Sequence, residues 1–228
     1  MLAILRLRTT LVLAAAIVGC NRAPAPTSPA SGVQSTARPA DSSTAPSGVP
    51  SIAGTVVLAS TGLPPATGGV VYLEDAPKQP GVATSARIDV FHKEFTPFIA
   101  VITVGGAVSF GNRDALVHHF FSPDVPKWDT GLIQKDGSVA PRTFDSPGPI
   151  ALLCNIHPEM LGYVLVIPST YFGKLGAEGK YVMTDVPPGT YKATAWAPRM
   201  PTVTQSVTVG PSGAVTANFL LPPAPTPK

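Results

Sequence analysis

The sequence is short of charge. Asp, Glu, Lys and Arg make up 13% of its 228 residues, about half the usual ~25%. What charge there is balances. There are 16 Lys+Arg and 13 Asp+Glu in all. Arg6, Arg8, Arg22, Arg38 and Asp41 precede residue 51, so residues 51–228 hold 12 bases and 12 acids. A neutral domain without basic clusters has no electrostatic footprint for nucleic acid. Cysteine is scarce too. Cys20 and Cys154 are the two residues, which excludes a disulfide-framed mini-protein. Amphipathic helical periodicity is missing. With 27 prolines and 21 glycines, a helical bundle is excluded, because proline breaks helix interiors and glycine weakens them. There is no G-x-S-x-G, no G-x-x-x-x-G-K-[ST] loop and no carboxylate pair at helical spacing, so the chain reads as a non-enzyme.

What is present divides the chain. Residues 1–19 carry a positive start at Arg6 and Arg8, an apolar run from Leu11 to Val18, and then Gly19. That is the layout of an export signal. Eight apolar residues fall far short of the ~20 a spanning helix needs. Ile17-Val18-Gly19-Cys20 resembles the bacterial lipoprotein processing box. The resemblance implies that Cys20 is lipidated and becomes the new N-terminus. Asn21, rather than aspartate, follows it, which in Gram-negative bacteria implies the outer membrane over the inner. Twenty-three of residues 21–50 are Pro, Ala, Ser, Thr or Gly. Such a segment buries too little to offset its ordering entropy. Residues 20–50 are therefore expected to be a disordered tether, spanning ~30 Å as a flexible coil.

From Ser51 onward the pattern is short strands. Expected segments are 52–59, 70–74, 86–92, 98–104, 107–111, 117–121, 142–145, 150–154, 162–167, 181–184, 190–196, 202–209 and 214–221. Gly and Pro pairs punctuate them. Pro188-Gly189 predicts a type II turn, with glycine taking positive φ. Many short strands with regular turns predict an all-β fold of sandwich or barrel type.

Cys154-Asn-Ile-His157-Pro-Glu-Met160 is the most informative stretch. It sets a thiolate, an imidazole and a thioether at spacing C-x2-H-x2-M. Soft sulfur suits Cu(I), and imidazole suits both copper oxidation states. A His2Cys trigonal set with a weak axial Met describes a blue-copper site. Methionine is a poor zinc ligand. Once Cys20 is lipidated, Cys154 is a solitary exported thiol, and metal ligation is its simplest use. The missing second histidine is available at His118 or His119.

The stretch from Phe95 to Ile167 resembles a cupredoxin, the plastocyanin and amicyanin family. Phe95-Thr96-Pro97, Val108-Ser-Phe110, the Asn112-x-Asp114-x-x-x-His118 run, the Cys-x2-His-x2-Met loop and Gly162-Tyr163-Val164 carry the resemblance. It implies a Greek-key β-sandwich with one type-1 copper held by His118, Cys154, His157 and Met160. The family places asparagine after the first histidine; here it is His119. An imidazole N–H is able to brace the cysteine loop in asparagine's place, or His119 competes as the ligand. The resemblance also places His157 at the surface in an apolar docking patch, with Pro158, Leu161 and Trp128 around it. His92 reads as a half-exposed strand residue.

The flanks resemble a second family. Gly179-Lys-Tyr181 followed by Val186-Pro-Pro-Gly189-Thr-Tyr191, with Gly54-Thr-Val56, Gly62-Leu-Pro64 and Val70 to Glu74 upstream, is similar to the transthyretin-like, carboxypeptidase-regulatory-type β-sandwich. The expected organisation is a signal at 1–19, a lipidated tether at 20–50, first strands of the small sandwich at 51–80, a cupredoxin at 86–167, the remaining strands at 168–222 and a disordered tail at 223–228. The expected function is a membrane-tethered electron carrier of the cell envelope. It would face the periplasm and exchange electrons with a cytochrome or another redox protein. Two alternatives stand beside it: copper storage or delivery, and a surface polymer-binding lipoprotein with a non-redox copper site.

Overall fold

The computed structural model describes residues 48–77, 85–124 and 127–224. The expected export signal, Cys20 and most of the tether lie outside the described residues, as do residues 225–228 of the expected tail. The described chain is all-β. Its strands are β1 (Ser51–Leu58), β2 (Val70–Leu73), β3 (Ser85–Phe91), β4 (Glu94–Thr96), β5 (Ile99–Thr103) and β6 (Gly106–Asn112). They continue with β7 (Phe120–Ser122), β8 (Trp128–Asp129), β9 (Ser138–Phe144), β10 (Gly148–Cys154) and β11 (Leu161–Ile167). The last are β12 (Phe172–Lys174), β13 (Lys180–Thr184), β14 (Gly189–Trp196), β15 (Val203–Val209), β16 (Ala214–Thr216) and β17 (Phe219–Leu221).

The strands form four sheets, and three apolar clusters separate them. The first sheet is β13-β1-β16, with β17 also on β1. The second is β12-β2-β14-β15, the third β5-β11-β10-β7-β8 and the fourth β4-β3-β6-β9. Ile52, Val56, Tyr181 and Phe219 of the first sheet pack with Val71, Leu73, Ala193 and Val207 of the second. Ile88, Val90, Val108 and Phe110 of the fourth pack with Ala100, Ile102, Leu152, Val164 and Val166 of the third. Between the second and third sheets, Val70 and Trp196 meet Ile99, Tyr163, Leu165 and Ile167.

This stacking follows from the sequence of β11. Strand side chains alternate between faces, and Leu161-Gly-Tyr-Val-Leu-Val-Ile167 is apolar at both parities. Val164 and Val166 serve one core, and Tyr163, Leu165 and Ile167 the other. A strand buried on both faces reads as an unbroken apolar run. By contrast, β15 alternates; only Val207 and Val209 of Val203–Val209 are buried.

Strands before residue 85 pair with strands after residue 167. β1 runs antiparallel to β13 and parallel to β16 and β17. β2 lies antiparallel to β12 and β14. The expected strand over 214–221 is broken in two at Ala217-Asn218. There Asn218 Oδ1 accepts the Thr55 amide, 2.9 Å away, and Ala217 N donates to Ala53 O at 2.8 Å. Gly54 permits this approach, because a Cβ there would fall 1.9 Å from the Ala217 carbonyl oxygen.

The turn before β14 differs from expectation. Gly189 does not take positive φ. Asp185 does, at 58°, and Gly189 opens β14. Glycine is needed there for space: a Cβ would lie 2.8 Å from the Tyr191 hydroxyl, which donates to Pro187 O at 2.9 Å.

Candidate metal centre

Three elements bring the donors together. β10 ends on Cys154, and the loop to β11 carries His157 and Met160. His118 precedes β7 and makes an antiparallel bridge to Ile133: His118 N donates to Ile133 O at 3.1 Å, and Ile133 N to His118 O at 2.7 Å. β7 then pairs Phe120 with Cys154, which sets the two ligand segments side by side.

The geometry is that of a small metal site. Cys154 Sγ lies 3.8 Å from His118 Nδ1 and 3.9 Å from His157 Nδ1, and the two nitrogens are 3.2 Å apart. A first-row ion bonded to N at about 2.0–2.1 Å and to S at about 2.3 Å would hold three coplanar donors roughly 3.5–3.8 Å apart. The three side chains therefore fit one ion without rearranging. Two imidazoles and one thiolate suit copper in either oxidation state. His118 and Cys154 are buried, and His157 is half-buried. Met160 is buried in the same core as Cys154, and its amide donates to His157 O at 3.0 Å, which tightens the loop.

Asn112 and Asp114 shape the approach to His118. Asn112 Nδ2 donates to Leu116 O at 2.7 Å and to Ile133 O at 2.9 Å, and its Oδ1 accepts the Asp114 amide at 2.9 Å. Asp114 Oδ2 lies 3.0 Å from His118 Nε2. Its carboxylate also accepts the amides of His92 at 2.6 Å and Lys93 at 2.8 Å. Burial alone would raise the Asp114 carboxyl. The amides of Lys93 and His92 and the His118 ring outweigh it and hold the group below the usual carboxylate range. Burial pushes the His118 imidazole below its ordinary value; the Asp114 hydrogen bond opposes this and His157 adds to it.

Two expectations about this region are corrected. His119 does not brace the cysteine loop through its ring, nor does it join the donors. Its Nε2 lies 3.3 Å from Asp129 Oδ1, and it is not among the three converging donors. The bracing comes from its backbone, whose carbonyl accepts the Asn155 amide at 2.9 Å. Trp128 does not line an exposed patch. It is buried, with its ring 5.2 Å from Phe110 and 6.1 Å from Phe144, beneath the Arg142 guanidinium.

Pro158 is exposed and Leu161 is half-buried beside His157. Ile156 in the ligand loop, Leu116 just before His118 and Leu132 beside Ile133 are exposed apolar side chains that sequence reasoning did not select. The signal was an apolar residue next to His157, at Ile156, and one two places before His118, at Leu116. His92 is exposed, but in a turn rather than on a strand.

No protein-family model matches the chain. Amicyanin-alpha of Methylorubrum extorquens is 31% identical over 104 residues, covering 44% of this chain and 83% of that protein. Among solved structures, a purple cupredoxin from Nitrosopumilus maritimus is 22% identical with a TM-score of 0.32, over 36% of this chain and 98% of that one. A reduced-state amicyanin variant is 21% identical with a TM-score of 0.34, over 42% of this chain and 97% of that one. The Cu(I) form of another amicyanin variant is 18% identical with a TM-score of 0.34, over 42% and 97%.

Proposed function

The chain belongs to the amicyanin family of cupredoxins, and on that premise we propose that it is a type-1 copper protein that carries electrons in the cell envelope. One observation carries this reading: His118 Nδ1, Cys154 Sγ and His157 Nδ1 converge within 3.2–3.9 Å of one another. Copper bound there supplies a one-electron Cu(I)/Cu(II) couple. The chain's own residues do the rest. Cys154 contributes a thiolate, and His118 and His157 contribute neutral imidazole nitrogens. Buried Met160 contributes a thioether that tunes the potential. A β-scaffold that held these groups in one arrangement for both oxidation states would keep reorganisation small. His157 is half-buried beside exposed Ile156 and Pro158. That edge suits brief, small contacts with a redox partner such as a cytochrome.

The expected export signal and the Cys20 processing box support a lipid-anchored protein facing the periplasm. The first two sheets, with their Val186-Pro-Pro-Gly189-Thr-Tyr191 turn, support a transthyretin-like flanking sandwich.

The test is optical. Adding Cu(II) to the protein should give an intense visible thiolate-to-copper band, lost in Cys154→Ala. Absence of the band from the wild type would overturn the type-1 assignment. Rapid mixing with a small cytochrome should then show sub-second electron exchange. A band without exchange would overturn the carrier role and leave copper storage.

A further inference from the structure

His118 is the least accessible of the three donors, at 0% exposure. An imidazole offers Nδ1 to a metal only when its proton sits on Nε2. In this structure His118 Nδ1 faces Cys154 and His157, and Nε2 faces the Asp114 carboxylate. An ionised carboxylate only accepts hydrogen bonds, so Asp114 selects the Nε2–H tautomer and leaves Nδ1 free.

Asp114 is itself held. Its side chain is 8% exposed, and it accepts two further hydrogen bonds, from the amides of His92 and Lys93. These two residues are the turn between β3 and β4, with φ of 52° and 59°. Consecutive positive φ values are the signature of a two-residue hairpin turn of type I′. Residues with a Cβ adopt them at a cost, and glycine or asparagine is usual. Here the left-handed pair aims both amides at one carboxylate, an arrangement that offsets the cost. Lys93 also reaches across to the ligand loop, with Nζ 3.6 Å from Glu159 Oε1. Both groups are exposed, so this tie is weak.

Resting on the copper reading above, we propose that Asp114 and the His92-Lys93 turn form one positioning unit for His118. The turn fixes the carboxylate, and the carboxylate fixes the tautomer and ring plane of the ligand. A hairpin that contributes no metal ligand is thereby part of the metal centre. A carboxylate behind a ligating histidine raises the ligand's basicity, and losing such a partner typically costs about 10–100-fold in metal affinity.

Two measurements test this. In the copper-free full chain, long-range 15N NMR of the imidazoles should show His118 protonated on Nε2. Protonation on Nδ1, or an even mixture, overturns the proposal. In Asp114→Asn the amide oxygen is still able to accept from the turn, but its NH2 then confronts Nε2–H. Copper affinity should fall about 10–100-fold, and more for Cu(II) than for Cu(I). A tenfold difference between the two is an upward potential shift of about 59 mV for a one-electron couple. An unchanged tautomer with unchanged affinities overturns the role of Asp114. Lys93→Pro removes one amide donor and forbids the positive φ. If it leaves the His118 tautomer and copper affinity untouched, the turn is not part of the unit. The tautomer is read without metal, so its outcome is separate from that of the copper reading, which fails only if the wild type shows no thiolate-to-copper band.

Discussion

Leu165→Ala tests whether the four sheets act as one body. Leu165 is 1% exposed and sits between the second and third sheets with Val70, Ile99, Tyr163, Ile167 and Trp196. The substitution removes three carbons, roughly 2.4 kcal/mol of transfer free energy at ~0.8 kcal/mol per methylene. Two stacked sheets cannot close fully over the gap, so a cavity cost is added. The total should be about 3–4 kcal/mol, within the range known for buried leucines. For a domain of this size that is a fall of roughly 6–16 °C in Tm, at about 2–4 °C per kcal/mol. The assay is calorimetry with urea unfolding of the copper-free protein, followed by both near- and far-UV signals. A single cooperative transition should shift as a whole, with an unchanged m value. A loss below about 1 kcal/mol would show that the middle core contributes little beyond an ordinary surface site. Two separate transitions, with only one displaced, would show that the sandwiches do not share stability. Either result refutes the reasoning.

Gly54→Ala should destabilise by at least about 1–3 kcal/mol, the usual cost of overpacking, since its Cβ would meet the Ala217 carbonyl at 1.9 Å; thermal unfolding checks this. Asn112→Ala removes three hydrogen bonds around the His118 approach. It should cost about 2–4 kcal/mol, at 1–3 for each buried group left unpaired with partial relaxation, and copper titration of the folded variant should show weaker binding. The copper-free protein should lose stability as pH falls below about 6.5, the ordinary histidine value. There the unfolded chain takes up a proton that buried His118, with its lowered pKa, resists. The slope for that one site is at most about 1.4 kcal/mol per pH unit. Asp114, also lowered, should add a further loss below about pH 3.9. Urea midpoints that stay flat from neutral pH to pH 5 would refute the burial argument.

Much of this protein is legible from its residues, and the exceptions have physical causes. The all-β class was legible because proline, glycine and alternating apolar residues act locally. β11 was legible because it is apolar throughout. β4, β8 and β12 escaped notice because two or three residues carry no period. The segment 122–140 has no pattern of its own, yet it supplies Ile133, whose backbone holds His118. That role belongs to main-chain atoms, which any residue has. Cys154 and His157 are legible by donor chemistry and spacing, and the structure sets both beside His118. Asp114 was visible only as a letter in a motif. Its partners, His92 and Lys93, lie more than twenty residues upstream, a distance no local pattern spans. Trp128 was misplaced because an aromatic near a loop reads the same whether it faces water or Phe110.

The pairing of β1 with β13 joins Ser51 to Thr184, and this has a consequence for the order of folding. The β3–β11 segment has all its strand partners within itself, whereas β1 and β2 wait for strands from the far end of the chain. Closing so long a loop costs entropy before any contact offsets it, so these ladders should form late. Until they do, β1 and β2 are unpaired edges, and edges of that kind recruit other chains. The outer face of β11, with Tyr163, Leu165 and Ile167, stays uncovered over the same interval. The docking of β12–β17 closes both surfaces at once.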